Sequence, residues 1–423
     1  MKQKIQKLAD RILSLAGSLP IQIFIRSKKG VLARFTNNGV HQNGFQDLFF
    51  YTLRLFGKSG FASLESNDGS RVGIQNTLNQ LKALEPHPVS LKVLQELNDP
   101  KIKESFPFPI EKAPEMAASA IEEAICLIRQ EKASANGYYS AYERFFYFLD
   151  STGRELFHPS TAVRFGVTAT RGAGKGYSSF YHPNSNQLNV VSTVKEALTL
   201  AKQASLREVL VKPGDYQCIF SPRAFLELIE PIRHHFDEHL YRGGKSALSG
   251  FLGKRIFSEA FTLDDDATNP KQFGVPFDVE GMLRKKVTLV EKGVLRGLLG
   301  QGNSSRGIRE YAVYPENLVA QEGDLRLKQL FKQVKRGIFI NKIRYHTLVR
   351  EGGLEVTGLS AAGPLYIEGG EVLGRVGHLR YHDSLFSILR FIVAGSRERV
   401  LLKDGEMGAA LLPYFLISKL HVV

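Results

Sequence analysis

A long alternation of aromatic and β-branched residues runs from 138 to 170. Side chains that alternate with a period of two are typical of strands with one buried face. Within this stretch, residues 142–149 and 155–157 flank the turn sequence DSTG at 150–153. The pattern therefore predicts a β-hairpin in the middle of the chain.

Beyond residue 241 the sequence becomes rich in glycine and in short strand-like segments. Lys292-Gly293 separates residues 286–291 from 294–299, and Gly369-Gly370 separates 365–368 from 371–376. Turn residues between two apolar runs are the signature of antiparallel pairs. We therefore predict a mostly antiparallel β domain in this half.

Helical spacing appears mainly in the first half. Ile5, Leu8, Ile12 and Leu15 recur at helical intervals, which predicts a first helix over 4–16. Further helices are predicted over 74–84, 114–130 and 194–205, the last opened by a capping box at 193–196. Strands are predicted between them, at 21–25, 31–36 and 48–56.

The chain has 423 residues, which suggests two or three domains of roughly 150 residues each. The punctuating sequence VKPGD at 211–215 leads us to place a boundary near 206. The predicted fold class is α+β. A mixed α/β domain over 1–205 would precede a β-rich, largely antiparallel domain over 206–423.

The net charge of +14 raises the question of a nucleic-acid partner. The basic residues are spread along the chain, however, and their densest cluster is only Arg284-Lys285-Lys286. We expect a solvated basic surface and no nucleic-acid partner. No apolar run approaches the roughly 18 residues of a membrane span, and Asp10 and Arg11 interrupt any signal-like core. A cytoplasmic protein without a membrane partner is expected.

Two other features of the sequence carry little functional weight. Two cysteines, Cys126 and Cys218, exclude a disulfide framework, and we expect both to pack rather than react. The segment RGAGKGYS at 171–178 resembles a phosphate-binding loop but lacks the first glycine and the final Ser or Thr. A turn between strands is the better interpretation.

The one concentrated group of metal-type ligands lies in residues 221–240, SPRAFLELIEPIRHHFDEHL. Ser221-Pro222 is a good helix start, and Pro231 should kink or break the helix. An apolar stripe is predicted to face the core, formed by Ile229, Ile232, Phe236 and Leu240. Beside it lie three histidines: His234, His235 and His239.

His235 to His239 also matches H-x-x-E-H, the inverted zincin pattern. Two histidines four apart would share one helical face, and Glu238 between them would activate a zinc-bound water. A polar helix flank after a proline kink explains the same residues without a metal. Both interpretations remain open at this point.

Several segments along nearly the whole chain carry a family resemblance. The most specific are SGFLGKRI at 249–256, FDVEG at 277–281 and VEKGVLRG at 290–297; others lie at 34–40, 57–63, 213–222 and 263–266. In order and spacing they resemble the TldD/PmbA family, known as modulators of DNA gyrase and as zinc metallopeptidases of the TldD type.

The resemblance implies a division of function. TldD-type members carry H-E-x-x-x-H on a central helix and a cysteine in a Gly-rich C-terminal segment, and these bind zinc. PmbA-type members lack the site and pair with a TldD-type subunit. Here residues 229–234 match the motif, with Glu230 and His234 retained and Ile229 in place of the first histidine. No cysteine follows Cys218, and 402–408 keeps only a trace of the Gly-rich segment.

Three functional hypotheses follow, and they leave open whether the chain is itself an enzyme. The leading one is a PmbA-like subunit without a cofactor, acting as a homodimer or as a heterodimer with a TldD-type subunit, and assisting proteolysis of extended or unfolded peptides. The alternative is a zinc peptidase with His235 and His239 as ligands, Glu238 as general base, and His378 or His382 as third ligand. The third is a factor associated with DNA gyrase or nucleic acid.

Overall fold

A computed structural model describes residues 2–57, 60–84, 87–88, 106, 108–300, 314–377 and 379–423. The helices are α1 Lys2–Ala16, α2 Arg71–Ala83, α3 Ala113–Gln130, α4 Val190–Ala204, α5 Pro222–Leu228, α6 Glu230–Arg233, α7 Glu238–Arg242, α8 Leu327–Lys332 and α9 Leu385–Arg390. Short 3₁₀ turns are formed by Ile110–Lys112, Ser185–Gln187 and His234–Phe236. No helix in the described ranges is both long and apolar enough to cross a membrane.

The first sheet has seven strands, in the order β4-β3-β2-β1-β5-β6-β7, and all of its pairs are antiparallel. The strands are β1 Ile21–Thr36, β2 Gly39–Phe56, β3 Gly60–Ser66, β4 His87–Pro88, β5 Ser134–Asp150, β6 Glu155–Arg171 and β7 Gly174–His182. The predicted hairpin is confirmed as β5 and β6. The two strands predicted at 21–25 and 31–36 are instead one, because Lys28-Lys29-Gly30 stays paired on both sides.

The two faces of this sheet differ. The odd-numbered residues of β1 pack under the helices: Ile21, Ile23 and Ile25 lie against α1 and α2, and Val31 and Ala33 against α3 and α4. On the opposite face, Phe24, Phe146 and Phe148 form an apolar cluster with Phe277 and Met407 from the second half of the chain. One face is thus covered by helices, and the other meets the C-terminal half.

The second sheet has fourteen strands, built around β9 and β21. Its strands are β8 Glu208–Val209, β9 Gly214–Phe220, β10 Leu263–Asp265, β11 Val287–Glu291, β12 Val294–Leu295, β13 Leu318–Ala320, β14 Arg336–Ile340, β15 Lys342–Arg350, β16 Glu355–Ala361, β17 Leu365–Glu368, β18 Glu371–Val376, β19 Arg380–Ser384, β20 Ile392–Asp404 and β21 Gly408–Val422. Three pairs are parallel, β13 with β21, β9 with β14 and β8 with β18. The predicted α+β class with a largely antiparallel β-rich half is confirmed.

Both glycine-marked hairpins predicted in this half are present as β11–β12 and β17–β18. At the first turn, Lys292 and Gly293 both have positive φ, at 46° and 77°. A side chain at Gly293 would also collide with the Phe257 carbonyl, 2.2 Å from the position of its Cβ. The turn therefore needs glycine for conformation and for space.

The helix α4 between the two sheets begins earlier than predicted. Asn189 is its N-cap and accepts a hydrogen bond from the Ser192 N–H at 2.8 Å. The predicted capping box at Thr193 is wrong, because Thr193 lies one turn inside the helix and its hydroxyl donates to the Asn189 carbonyl. The strands of the first sheet end at His182 and those of the second begin at Glu208. A domain boundary at 205/206 remains a prediction.

Candidate functional site

The segment that follows β9 is a helix broken into pieces. Ser221 caps α5 by accepting from the Ala224 N–H at 3.2 Å, and α5 ends at Leu228. A new short helix, α6, begins at Glu230. Pro231 has no N–H to give to the Glu227 carbonyl, so the helical ladder cannot continue across it. The break predicted at Pro231 is confirmed.

A second interruption separates the histidines of the H-x-x-E-H sequence. The chain forms a 3₁₀ turn over His234–Phe236, and Asp237 then becomes extended at φ −69° and ψ 124°. Its carboxylate accepts from the N–H groups of His239 and Leu240, at 2.7 and 3.1 Å, which starts α7. The expectation that His235 and His239 share a face of one helix is therefore wrong, because they belong to separate helical segments.

The local environments of these residues also differ. His235 is buried, and its Nδ1 accepts a hydrogen bond from the Ala247 N–H at 3.0 Å. Burial lowers the pKa of His235, an effect opposed by Glu351. His239 is exposed. The buried carboxylate of Glu238 accepts two hydrogen bonds from Arg242, at 2.7 and 2.9 Å. A role for Glu238 as general base would require this ion pair to open.

Of the two suggested third ligands, the structure describes only His382. His378 lies outside the described residues. His382 lines a cleft of about 400 Å³ together with Asp383 and His421. No group of three His, Cys, Asp or Glu side chains able to hold a metal ion occurs in the described part of the chain.

The motif position implied by the family resemblance is organised around Arg233, a residue that the sequence did not single out. Its side chain is 3% exposed. Arg233 Nη1 donates to Glu230 Oε2 at 2.5 Å and to Asp404 Oδ1 at 3.0 Å, and Nη2 lies 2.8 Å from Asp404 Oδ2. Its Nε donates to the Pro315 carbonyl at 2.8 Å. One guanidinium thus joins helix α6 to the hairpin between β20 and β21.

The charge of Arg233 is secure in this position. Burial by itself disfavours the charge, but Asp404 and Glu230 outweigh it and raise the pKa of Arg233 above its ordinary value. The guanidinium carbon lies 4.9 Å from the centre of the Tyr314 ring, whose other neighbour is the ring of the exposed His234 at 5.0 Å. A cation bound by the mostly buried Asp404 would have to compete with this guanidinium.

The residues at the motif do not fit the zinc site that the resemblance implies. The first position of the motif requires a metal-ligating side chain, but it is occupied by Ile229, which is 1% exposed and packs in the main core. Glu230 and Asp404 are already paired with Arg233. Zinc sites with catalytic function use three protein ligands. Of the matched positions, only His234 and the half-exposed Glu230 offer donor atoms, which is fewer than such a site needs.

A second set of polar residues near the helix break was also missed. His346 Nε2 lies 3.1 Å from the Leu228 carbonyl, and its Nδ1 lies 2.8 Å from the Tyr381 hydroxyl. Burial lowers the pKa of His346, so the neutral ring donates from Nε2 and accepts from Tyr381. Burial also raises the pKa of Glu227. His346 and Tyr381 come from strands more than a hundred residues after Leu228, and no local pattern in the sequence predicted their contact with the helix break.

The two cysteines differ in burial. Cys218 is buried in β9, and burial raises the pKa of its thiol, as expected of a packed cysteine. Cys126 is exposed on α3, so the expectation that it packs is wrong. Neither cysteine lies in the Arg233 cluster.

Comparison with known proteins identifies the family. Residues 213–423 match the family described as the PmbA/TldA metallopeptidase C-terminal domain. The chain belongs to the TldD/PmbA family.

Curated relatives match over part of their length. A metalloprotease of Methanocaldococcus jannaschii is 30% identical, over 41% of this chain and 42% of the relative. A metalloprotease of Methanothermobacter thermautotrophicus is 28% identical, over 38% of each chain. A metalloprotease TldD homolog of Buchnera aphidicola is 31% identical, over 26% of each. The aligned region thus spans well under half of these relatives.

Solved structures match the whole fold. TldE from Thermococcus kodakarensis has a TM-score of 0.82 at 17% identity, covering 99% of both chains. A Thermotoga maritima structure described as a modulator of DNA gyrase has a TM-score of 0.80 at 19% identity, covering 99% of this chain and 100% of the other. At these identities the likeness establishes the fold.

Proposed function

We propose that this chain is a metal-free, PmbA-type subunit that assists a TldD-type partner in the proteolysis of unfolded peptides. The observation that carries the proposal is the seating of Arg233 between Glu230 and Asp404. A buried, permanently charged guanidinium meets both carboxylates at the motif position, so a divalent cation would have to compete with it for them.

The donor set supports the same conclusion. A buried Ile229 stands at the first position of the motif, and no cysteine follows Cys218 in the sequence. Losing two of three protein ligands removes the basis of an ordinary zinc site. The alternative zinc peptidase would have to recruit His235 away from the Ala247 N–H and bring it to His239 across the break at Asp237.

A surface suited to a partner lies on the first sheet. β3 pairs with β2 only between Tyr51 and Phe56, and no strand of the described chain pairs with the same side of β2 from Gly39 to Phe50. This open edge carries exposed Val40, Phe45 and Leu48, at 56%, 50% and 43%. An exposed apolar edge favours strand addition by another chain. We assign this edge, residues 39–50, to the partner subunit.

The test uses the full chain purified without chelator or histidine tag, alone and mixed with a TldD-type subunit. We expect zinc well below one equivalent in the chain alone, and hydrolysis of an unfolded peptide only when the partner is present. The variants His235→Ala and His239→Ala should leave both results unchanged. Stoichiometric zinc and hydrolysis by the isolated chain, both lost in these variants, would establish the shifted peptidase site instead.

The third hypothesis, a factor associated with DNA gyrase or nucleic acid, draws on the net charge of +14 and on the description of the Thermotoga maritima structure. Binding driven by phosphate contacts weakens steeply with salt. Salt-dependent binding of duplex DNA by the purified chain would favour this function over the one proposed.

A further inference from the structure

The face of the first sheet that meets the C-terminal half carries an unusual row of cations. Lys28 on β1 lies directly opposite Arg144 on β5, and Arg164 on β6 lies opposite Ser140, further along the same face. Arg26 occupies the position before Lys28 on this face. Directly opposed residues have Cα atoms about 4.5–5.5 Å apart, so Lys28 and Arg144 are like charges in direct juxtaposition.

The C-terminal hairpin adds a fifth cation, Lys403. Its Nζ donates to the carbonyls of Gly408, Glu406 and Asp404, at 2.6, 3.0 and 3.4 Å. Burial and the nearby Arg144 hold the pKa of Lys403 well below its usual value. Arg144 is itself buried, and it donates to the Glu406 carbonyl and to Ser160 Oγ.

The carboxylates near these cations are already committed elsewhere. Glu65 and Glu406 both pair with Arg26, each at 2.8 Å. Within the described ranges, no carboxylate forms an ion pair with Lys28, Arg144, Arg164 or Lys403. Burial chiefly lowers the pKa of Lys28, the charges of Arg144 and Arg164 lower it further, and Glu406 opposes them. Gathering like charges at a half-buried site costs free energy unless an anion completes it.

Two of the cations remain accessible. The side chains of Lys28 and Arg164 are partly exposed. Lys28 Nζ lies 3.8 Å from the centre of the Tyr142 ring, and the Arg164 guanidinium lies 5.6 Å from that of Tyr138. The aromatic rings hold both cations in place without neutralising them. The site therefore presents oriented donors and a surplus of positive charge.

We propose that Lys28 and Arg164, with the buried charge of Arg144 behind them, form a binding site for a carboxylate of the peptide, either its C-terminal carboxylate or an acidic side chain. The inference rests on the proposed function, because it assumes a peptide ligand. The hairpin between β20 and β21 connects the Arg233 cluster with the cationic face. Its Asp404 pairs with Arg233, and the adjacent Lys403 belongs to the cationic face. Arginine presents paired N–H donors that match a carboxylate.

The experiment measures binding of three fluorescent peptides of one unfolded, uncharged sequence to the full chain in complex with its TldD-type partner. The first has a free C-terminal carboxylate, the second a C-terminal amide, and the third an amide with one internal glutamate. We expect the free acid or the glutamate peptide to bind about tenfold tighter than the plain amide, since hydrogen bonds to charged groups are the stronger class. Whichever of the two gains affinity identifies the source of the carboxylate.

The variant Arg164→Gln should abolish this preference, and Arg164→Lys should retain part of it. Arg171→Gln is the matched control, because it removes a cation from the same strand at its exposed end, where its partner is Glu131. Equal binding of all three peptides, or a preference that survives Arg164→Gln, would overturn the carboxylate site and leave peptide binding intact. Failure of every peptide to bind would overturn the proposed function together with the site.

Discussion

At the scale of single residues, Arg233 decides the chemistry of the motif position. A buried guanidinium between two carboxylates is costly to desolvate but becomes strongly held once its partners are in place. Glutamate at 230 and histidine at 234 are polar residues that a metal site also uses, so their presence alone is ambiguous. Arg233 removes the ambiguity, because its contacts occupy Glu230 and Asp404 together.

The variant Arg233→Met should lower the free energy of unfolding by about 3–5 kcal/mol, because it leaves the mostly buried Asp404 without its partner. Urea unfolding monitored by circular dichroism measures the change. Arg296→Met is the control, since its pair with Glu291 is about half exposed at both ends and should contribute less than about 1 kcal/mol.

The double variant Arg233→Met/Asp404→Leu distinguishes charge burial from packing. Removing both charges should recover most of the lost stability. A loss in Arg233→Met no larger than that of the control would show that the ion pair contributes little.

The buried histidine His346 makes stability depend on pH. Burial lowers its pKa below the ordinary value of 6.5, so the unfolded chain binds more protons than the native state as the pH falls through that value. The contribution of the neutral His346 to the free energy of unfolding is therefore present above pH 6.5 and is lost progressively below it. The variant His346→Gln should therefore show a shallower loss between about pH 7 and pH 5 than the parent.

Urea unfolding at a series of pH values provides the measurement. Between pH 8 and pH 9 the histidine is neutral in both states, so the two proteins should have parallel stability profiles there. Identical slopes in the acid range would contradict a neutral, buried His346.

At the scale of secondary structure, proline and glycine positions predicted helix breaks and hairpin turns well, whereas the starts of helices were predicted less well. Pro231 predicted the break between α5 and α6, and Lys292-Gly293 and Gly369-Gly370 predicted two hairpins. The start of α4 was misplaced because Thr193 and Asn189 are both acceptable caps, and burial of Thr193 decides between them. The interruption at Asp237 was not predicted, because in the sequence an aspartate that caps a new helix cannot be told from one inside a continuous helix.

The open edge of β2 provides a prediction about assembly. Phe45→Lys should weaken binding to a TldD-type subunit about tenfold or more, because it places a charge on an apolar strand edge. Phe45 is 50% exposed, so the unfolding free energy of the isolated chain should change little. Surface plasmon resonance with the immobilised partner measures the affinity.

Val72→Lys is the matched control, because it replaces a residue that is 70% exposed on α2 by the same side chain. Unchanged affinity in Phe45→Lys, or an equal loss in the control, would exclude the β2 edge as the partner surface.

At the scale of the whole molecule, the hairpin between β20 and β21 joins the two halves. Met407 packs into the cluster around Phe146 and Glu406 pairs with Arg26, both on the first sheet, while Asp404 pairs with Arg233 inside the C-terminal half. Within the C-terminal half, Gly408 lets the hairpin lie close to the segment before β13, since a side chain there would lie 2.1 Å from the Glu316 carbonyl. The Arg233 cluster lies within the C-terminal half, whereas Lys403 joins the cationic face of the first sheet only because the two halves meet at this turn.

Local sequence patterns account for the periodicity of the strands, two glycine turns, the break at Pro231 and the resemblance to the family. These features depend on neighbouring residues, whose backbone preferences act locally. The tertiary structure alone decided that Arg233 meets Asp404, 171 positions away, and that Lys28 faces Arg144. Such contacts depend on strand register and on the packing of distant elements, because a side chain's partner is set by which surfaces fold together.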